Sequence, residues 1–116
     1  MKRVELLTKL QEIAPTYSFG EHPANAKKPY LVLIQNSWTK SPTNSFAGWS
    51  NWRVIVVNPT SLRGLDNLET EVMDLLYTMD VEIQPHGKLS DFYDKTFNGF
   101  TNEVAFRIPE VNKYLK

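Results

Sequence analysis

His22 and His86 are the two side chains of this sequence that could exchange a proton or bind a metal near neutral pH. His22 adjoins Pro23 in an irregular stretch and His86 lies in the turn "PHGK", so both are expected in loops, exposed, with no regular element to aim them. Asp91 and Asp94 flank Phe92 and Tyr93. On an extended strand their odd spacing puts them on opposite faces, which suits neither a metal clamp nor an acid–base pair. Asp80 and Glu82 do share a strand face, but it is the face opposite Val81 and Ile83, where carboxylates are solvated. No G-x-S-x-G stretch presents a nucleophile, and Gly64 and Gly99 are too isolated to form a phosphate-cradling loop. The absence of cysteine removes thiolate chemistry, disulfides and sulfur-ligated zinc. No catalytic residue, cofactor or metal ligand is expected, and the chain is read as a non-enzyme.

What remains unusual is "NSWTKSPTNSFAGWSNW", residues 36 to 52, which gathers all three tryptophans into a polar stretch. Trp52 alternates with Val54 and Val56 and belongs with the core face of a strand. Trp38 closes the preceding strand, from which it could pair across to Trp52. Phe46 and Trp49 fall in the connection between the two strands. Aromatics there either anchor a partner or fold back onto the sheet, and both readings stay open. Lys27, Lys28, Lys40 and Arg53 could join the tryptophans in holding single-stranded nucleic acid. Thirteen basic residues against thirteen acidic ones give no net charge, and no nucleic-acid-binding signature is present, so that reading is weak.

The elements that must position these residues follow from periodicity. Val4, Leu7, Leu10 and Ala14 recur at helical spacing before Pro15 and predict a short first helix. Residues 15 to 29, with three prolines and a glycine, read as a connection. "YLVLIQNSW" from Tyr30 and "NWRVIVVN" over 51 to 58 predict two neighbouring antiparallel strands joined by a long loop. Ser61 is a candidate N-cap for a main helix whose apolar stripe is Leu62, Leu65, Leu68, Val72, Leu75, Leu76 and Met79. "DVEIQP" alternates as a strand should. Asn98-Gly99 is a strong two-residue hairpin signal that would pair Phe97 with Phe100 and Tyr93 with Val104, giving strands near 91 to 97 and 100 to 108, the last ending at Pro109. The order helix-strand-strand-helix-strand-strand-strand is that of a single α+β domain, with a mostly antiparallel sheet and the second helix on one face. A 116-residue chain with 41% hydrophobic and 22% charged residues can bury a core of its own. Its opening "MKRVELLTKLQE" threads charges through the apolar residues, unlike a secretion signal, and no apolar run approaches membrane-spanning length.

The series "YLVLIQNSW", "NWRVIVVNPTS", "LDNLETEV", "DFYDKTF" and "AFRIPEV", spread over nearly the whole chain, resembles the tail terminator or tail-completion (head-to-tail joining) proteins of long-tailed bacteriophages. The resemblance lies in the order of elements, the loop between the first two strands, the Asn-Pro-Thr-Ser before the helix and the late Phe-Arg-Ile-Pro. It implies a virion protein of the tail and neck, assembled in the host cytoplasm, that forms a sixfold ring on the tail tube, ends its polymerisation and docks onto the head connector or stopper. DNA would be passing cargo, with no cofactor and no membrane. Under that reading Trp38, Phe46 and Trp49 supply the subunit or partner interface, and the acidic Glu71 and Asp74 of the second helix could face the DNA channel. The alternative is a stand-alone module that holds a peptide or single-stranded nucleic acid with the same aromatic loop.

Overall fold

Leu6 and Leu10, one helical turn apart, are both fully buried and set the inward stripe of α1, Arg3–Gln11. This corrects the expected face. Val4 is 72% exposed and Leu7 only packs at the margin, because the stripe through the larger Leu6 is the one that Ile13 and Ala14 continue against the core. In the computed structural model the described residues are 3–22, 28–40, 47–79, 81–84, 93–94, 97 and 99–111.

The stretch after α1 holds an element that the sequence does not announce. Thr16–Ser18 forms β1, parallel to the following strand, with Thr16 opposite Leu31 and Ser18 opposite Leu33. Three residues between Pro15 and a glycine carry too little pattern to declare a strand, and this one is recruited by its neighbour's backbone. Gly20, at φ 88°, then turns the chain away.

β2, Tyr30–Lys40, and β3, Ala47–Asn58, pair antiparallel as expected, but both are longer than their apolar runs. The expected long loop is therefore mostly ladder, and only residues 41 to 46, outside the described residues, lie between the strands. The register changes within β2. From Tyr30↔Val57 to Gln35↔Trp52 the strands keep one pairing, and from Ser37↔Asn51 onward they keep another, so Asn36 is an extra residue bulged out of the ladder.

Asn58 ends β3 and prepares the helix. Its Oδ1 accepts from the N–H groups of Thr60 and Ser61, both at 3.0 Å, and Ser61 Oγ accepts from Gly64 N–H at 3.0 Å. Ser61 is thus the N-cap of α2, Leu62–Tyr77, whose buried side chains are Leu65, Leu68, Val72 and Leu76. A Cβ on Gly64 would overlap the Asn58 amide, which explains a glycine so early in a helix.

β4, Glu82–Gln84, β5, Tyr93–Asp94, and β6, Gly99–Val111, complete the chain. The Asn-Gly expectation fails here. Tyr93 pairs with Phe100 and Asp94 with Gly99, so Gly99 is a ladder residue, and a Cβ there would come within 2.9 Å of Val57 and 3.0 Å of Asn58 O and Pro59 Cα. Close backbone approach, and not a positive φ, is what requires that glycine. Nor does β6 stop at Pro109, which pairs with Trp49 beyond the last β4 partner, Arg107. A proline fits there because, among the described residues, β6 has a strand on one side only at that point.

The sheet order is β1-β2-β3-β6-β4, with β5 also on β6, and every pairing except β1 with β2 is antiparallel. Both helices cover one face, where Leu31, Leu33, Trp52, Val54, Val56, Val104, Phe106 and Ile108 meet the apolar sides of α1 and α2. On the other face a smaller cluster, Tyr30, Val32, Ile55 and Val57, is closed by Tyr17, Ile34 and Phe97. The molecule is elongated, 49 × 26 × 25 Å, along the long strands. Among the described residues no helix is long and apolar enough to cross a membrane.

Candidate functional site

Past β4 the described residues of the sheet narrow to a three-stranded arm made of residues 37 to 40, 47 to 51 and 107 to 111 of β2, β3 and β6. Residues opposite one another on a ladder share a face, so the pairings decide what each side of the arm displays. Trp38 pairs with Ser50, which pairs with Ile108, and these three are on the helix side. Thr39, Trp49 and Pro109 form the next row, on the opposite side. Trp49, expected in the loop, is thus a strand residue like Trp38, and the two lie on opposite faces. The bulge does this. Were Asn36 held in the ladder instead of bulged, the upstream register would bring Trp38 directly opposite Trp49 on the face away from the helices.

Each indole has its own seat. The ring of Trp38 and the carbonyl oxygen of Thr39 occupy the space that a Cβ on Gly48 would need, so Gly48 is small to let the indole lie flat on β3. On the other face the guanidinium of Arg107 stands 4.1 Å from the centre of the Trp49 ring and donates to Glu82 Oε1 at 3.0 Å. Glu82 and Arg107 are 55% and 29% exposed, so the ion pair contributes at most about 1 kcal/mol. The cation–π contact adds roughly 0.5–1 kcal/mol at such an exposed site. Beside them Asn51 Nδ2 donates to Thr39 Oγ1 at 2.6 Å, to Ser37 O at 3.3 Å and to Ser37 Oγ at 3.4 Å, tying β3 to β2 just past the bulge. Arg53, one pair of residues further along the same face, meets Glu103 at 3.5 Å.

Phe46, the third expected anchor, lies outside the described residues. Trp52 is core, 3% exposed, as its alternation predicts, and pairs with Gln35 rather than Trp38. Arg3 stacks 5.3 Å from its ring. Glu71 and Asp74 are exposed on α2. Glu69 on the same helix instead accepts a hydrogen bond from Asn102. Glu82 faces solvent as expected of that strand, while Asp80, His86 and Asp91 are outside the described residues.

His22 corrects its expectation. It is half-buried, stacked 6.1 Å from Tyr30 and 5.1 Å from Phe97 at the edge of the smaller apolar cluster, with Nδ1 buried and unpartnered among the described residues. Pro23 beside it masks in sequence what long-range aromatic packing provides. Among the described residues no group of three His, Cys, Asp or Glu side chains could hold a metal.

Sequence reading missed Arg107, Gly48 and Asn51. A signal for Arg107 did exist: in "AFRIPEV" the alternation puts Arg107 and Pro109 on the side opposite Phe106 and Ile108. Chemically, the arm offers two sheltered aromatic surfaces facing opposite ways, hydroxyl and amide groups, and arginines whose charge is matched by carboxylates. No protein-family model matches the chain, and no curated protein matches it.

Proposed function

We propose that this chain is the subunit of a ring-forming virion protein of the tail-terminator kind, which caps a phage tail tube, ends its polymerisation and joins it to the head connector or stopper. The observation that carries the reading is the sorting of Trp38 and Trp49 to opposite faces of one projecting arm. A ring is built from heterologous contacts, in which each subunit offers one patch to the neighbour before it and a different patch to the neighbour after it. A twofold dimer needs only one self-complementary patch, and a small-ligand module needs only one concave face. An arm with an unlike aromatic surface on each side suits the first requirement, and aromatic side chains are the usual anchors of such contacts. The resemblance in the order of elements points the same way and supplies the sixfold count, the tail and neck location and the passing DNA.

The pairing of Arg53 with Glu103 and Arg107 with Glu82 weighs against the alternative, a nucleic-acid-binding module, because both arginines described on that face already meet a carboxylate. The test is the solution mass by light scattering over a wide concentration range, with and without isolated tube ends. A discrete ring species in the parent chain that disappears in Trp49→Ala and in Phe46→Ala, with their thermal unfolding little changed, supports the reading. A strict monomer under every condition, or variants that lose stability but not assembly, refutes it. Oligonucleotide binding with a steep salt dependence would transfer the arm to the alternative.

A further inference from the structure

The contact of Arg107 with Trp49 has a geometry unlike that of a finished interface anchor. The indole is half-buried within its own subunit, with one flank occupied by the guanidinium at 4.1 Å. Arg107 reaches it from the neighbouring strand, being two residues from Pro109, the ladder partner of Trp49, and is braced from the far side by Glu82 of β4. The position is not the best that Arg107 could take. Its Nε is buried with no hydrogen-bond partner among the described residues, and its brace is a largely exposed carboxylate.

From this we infer that Arg107, braced by Glu82, is a latch that stows Trp49 against the sheet in the free subunit and competes for that indole with a second copy of the chain. The inference rests on the ring reading and says how the ring is regulated. A subunit that must wait for a tube end gains from an anchor that is covered until a neighbour offers a better pocket. The latch is built to lose that competition. A cation–π contact and an exposed ion pair are weaker than the full burial of an indole at the centre of an interface, whereas they suffice to keep an isolated subunit from presenting bare aromatic surface. The separation of parts also fits: the latch comes from β6 and β4, and the stowed residue from β3.

The test labels the full chain with fluorotryptophan, assigns the Trp49 fluorine resonance by its loss in Trp49→Phe, and compares the parent with Arg107→Ala and Glu82→Gln. The latch requires that Arg107→Ala shift the Trp49 resonance towards its solvent-exposed position while the Trp38 and Trp52 resonances stay put. It also requires that the protein concentration giving half-assembly fall by about fivefold, the equivalent of one such surface contact, with a smaller fall for Glu82→Gln. Arg107→Lys, which keeps the charge but loses the flat stacking surface, should lie between parent and Ala. An unmoved Trp49 resonance overturns the latch. So does assembly that needs more protein in Arg107→Ala, since Arg107 would then belong to the interface itself. If the resonance moves and both proteins assemble alike, the ring stands and the latch falls. If neither assembles even on tube ends, the ring reading falls and takes the competition between copies with it.

Discussion

A row through the middle of the sheet runs Leu33, Val54, Val104, and a row near its end runs Thr39, Trp49, Pro109; the same three strands supply both. In the first row exposure is 0%, 0% and 3%, with α1 and α2 closing over it. In the second, Thr39 and Pro109 are open to solvent and Trp49 is half-buried with a guanidinium over its ring. Strand composition alone does not separate the two rows, since β3 carries alternating apolar residues through both. The difference lies in what lies above them. One region is closed by helices and holds the fold, while the other is closed by single side chains that something else could replace.

The sharpest way to break the comparison is Phe106→Ala, which removes a fully buried ring from the helix-covered region. It should cost about 3–5 kcal/mol, enough to unfold much of a domain this size, read as a loss of the urea midpoint. A loss comparable to that of an arm substitution would mean the two regions are equally tight. Deletion of Asn36 comes next, at roughly 2 kcal/mol. It should join the two stretches of β2 into one continuous register that keeps Trp38 opposite Ser50 and on the face away from Trp49, so circular dichroism should show no indole–indole exciton couplet. A couplet in a folded deletion variant would mean that β2 has slipped to set Trp38 opposite Trp49, and that Asn36 is not the extra residue. Ser61→Ala should cost about 1 kcal/mol in thermal unfolding without touching assembly, because the cap serves only the closed region. A fall in ring formation at matched stability would show that α2 reaches the interface. Replacing Glu71 and Asp74 by Gln and Asn should change stability by no more than about 0.5 kcal/mol. If these carboxylates line a DNA channel, the doubly substituted ring should retain DNA that the parent ring releases, a difference a filter-binding assay reads directly.

Much of the closed region was legible in sequence because its signals are local and repeated. The stripe Leu65, Leu68, Val72, Leu76 names α2, Ser61 names its start, and the run from Tyr30 names β2. Both helices, the antiparallel β2–β3 pair and the core role of Trp52 follow from such patterns. The arm was harder to read. "TKSPTNSFAGWS" has the composition of a loop, yet residues 39, 40 and 47 to 50 continue the strands, because a ladder propagates through polar residues once its apolar stretch is anchored. The bulge leaves no mark at Asn36 that a sequence could show. It is decided by what fits across the sheet, above all by Gly48 receiving the Trp38 ring. Asn98-Gly99 misled for the opposite reason: a strong local turn preference was overridden by the crowding of Gly99 against Val57 and Pro59. Asn58-Pro59-Thr60-Ser61 acquires a wholly local explanation, a doubled cap at the start of α2. The family resemblance therefore rests less on that motif than on the order of elements.

Pro109 and the Asn36 bulge lie on the two outer strands of the arm, β6 and β2, each at a stretch where the described residues provide a partner on one side only. A proline cannot donate to a growing ladder, and a bulge twists a strand out of line with an incoming one. In the proposed ring, copies can therefore meet through the faces of their arms without stitching their backbones into a continuous sheet, and crowding at high concentration is kept from seeding fibres along these two strands.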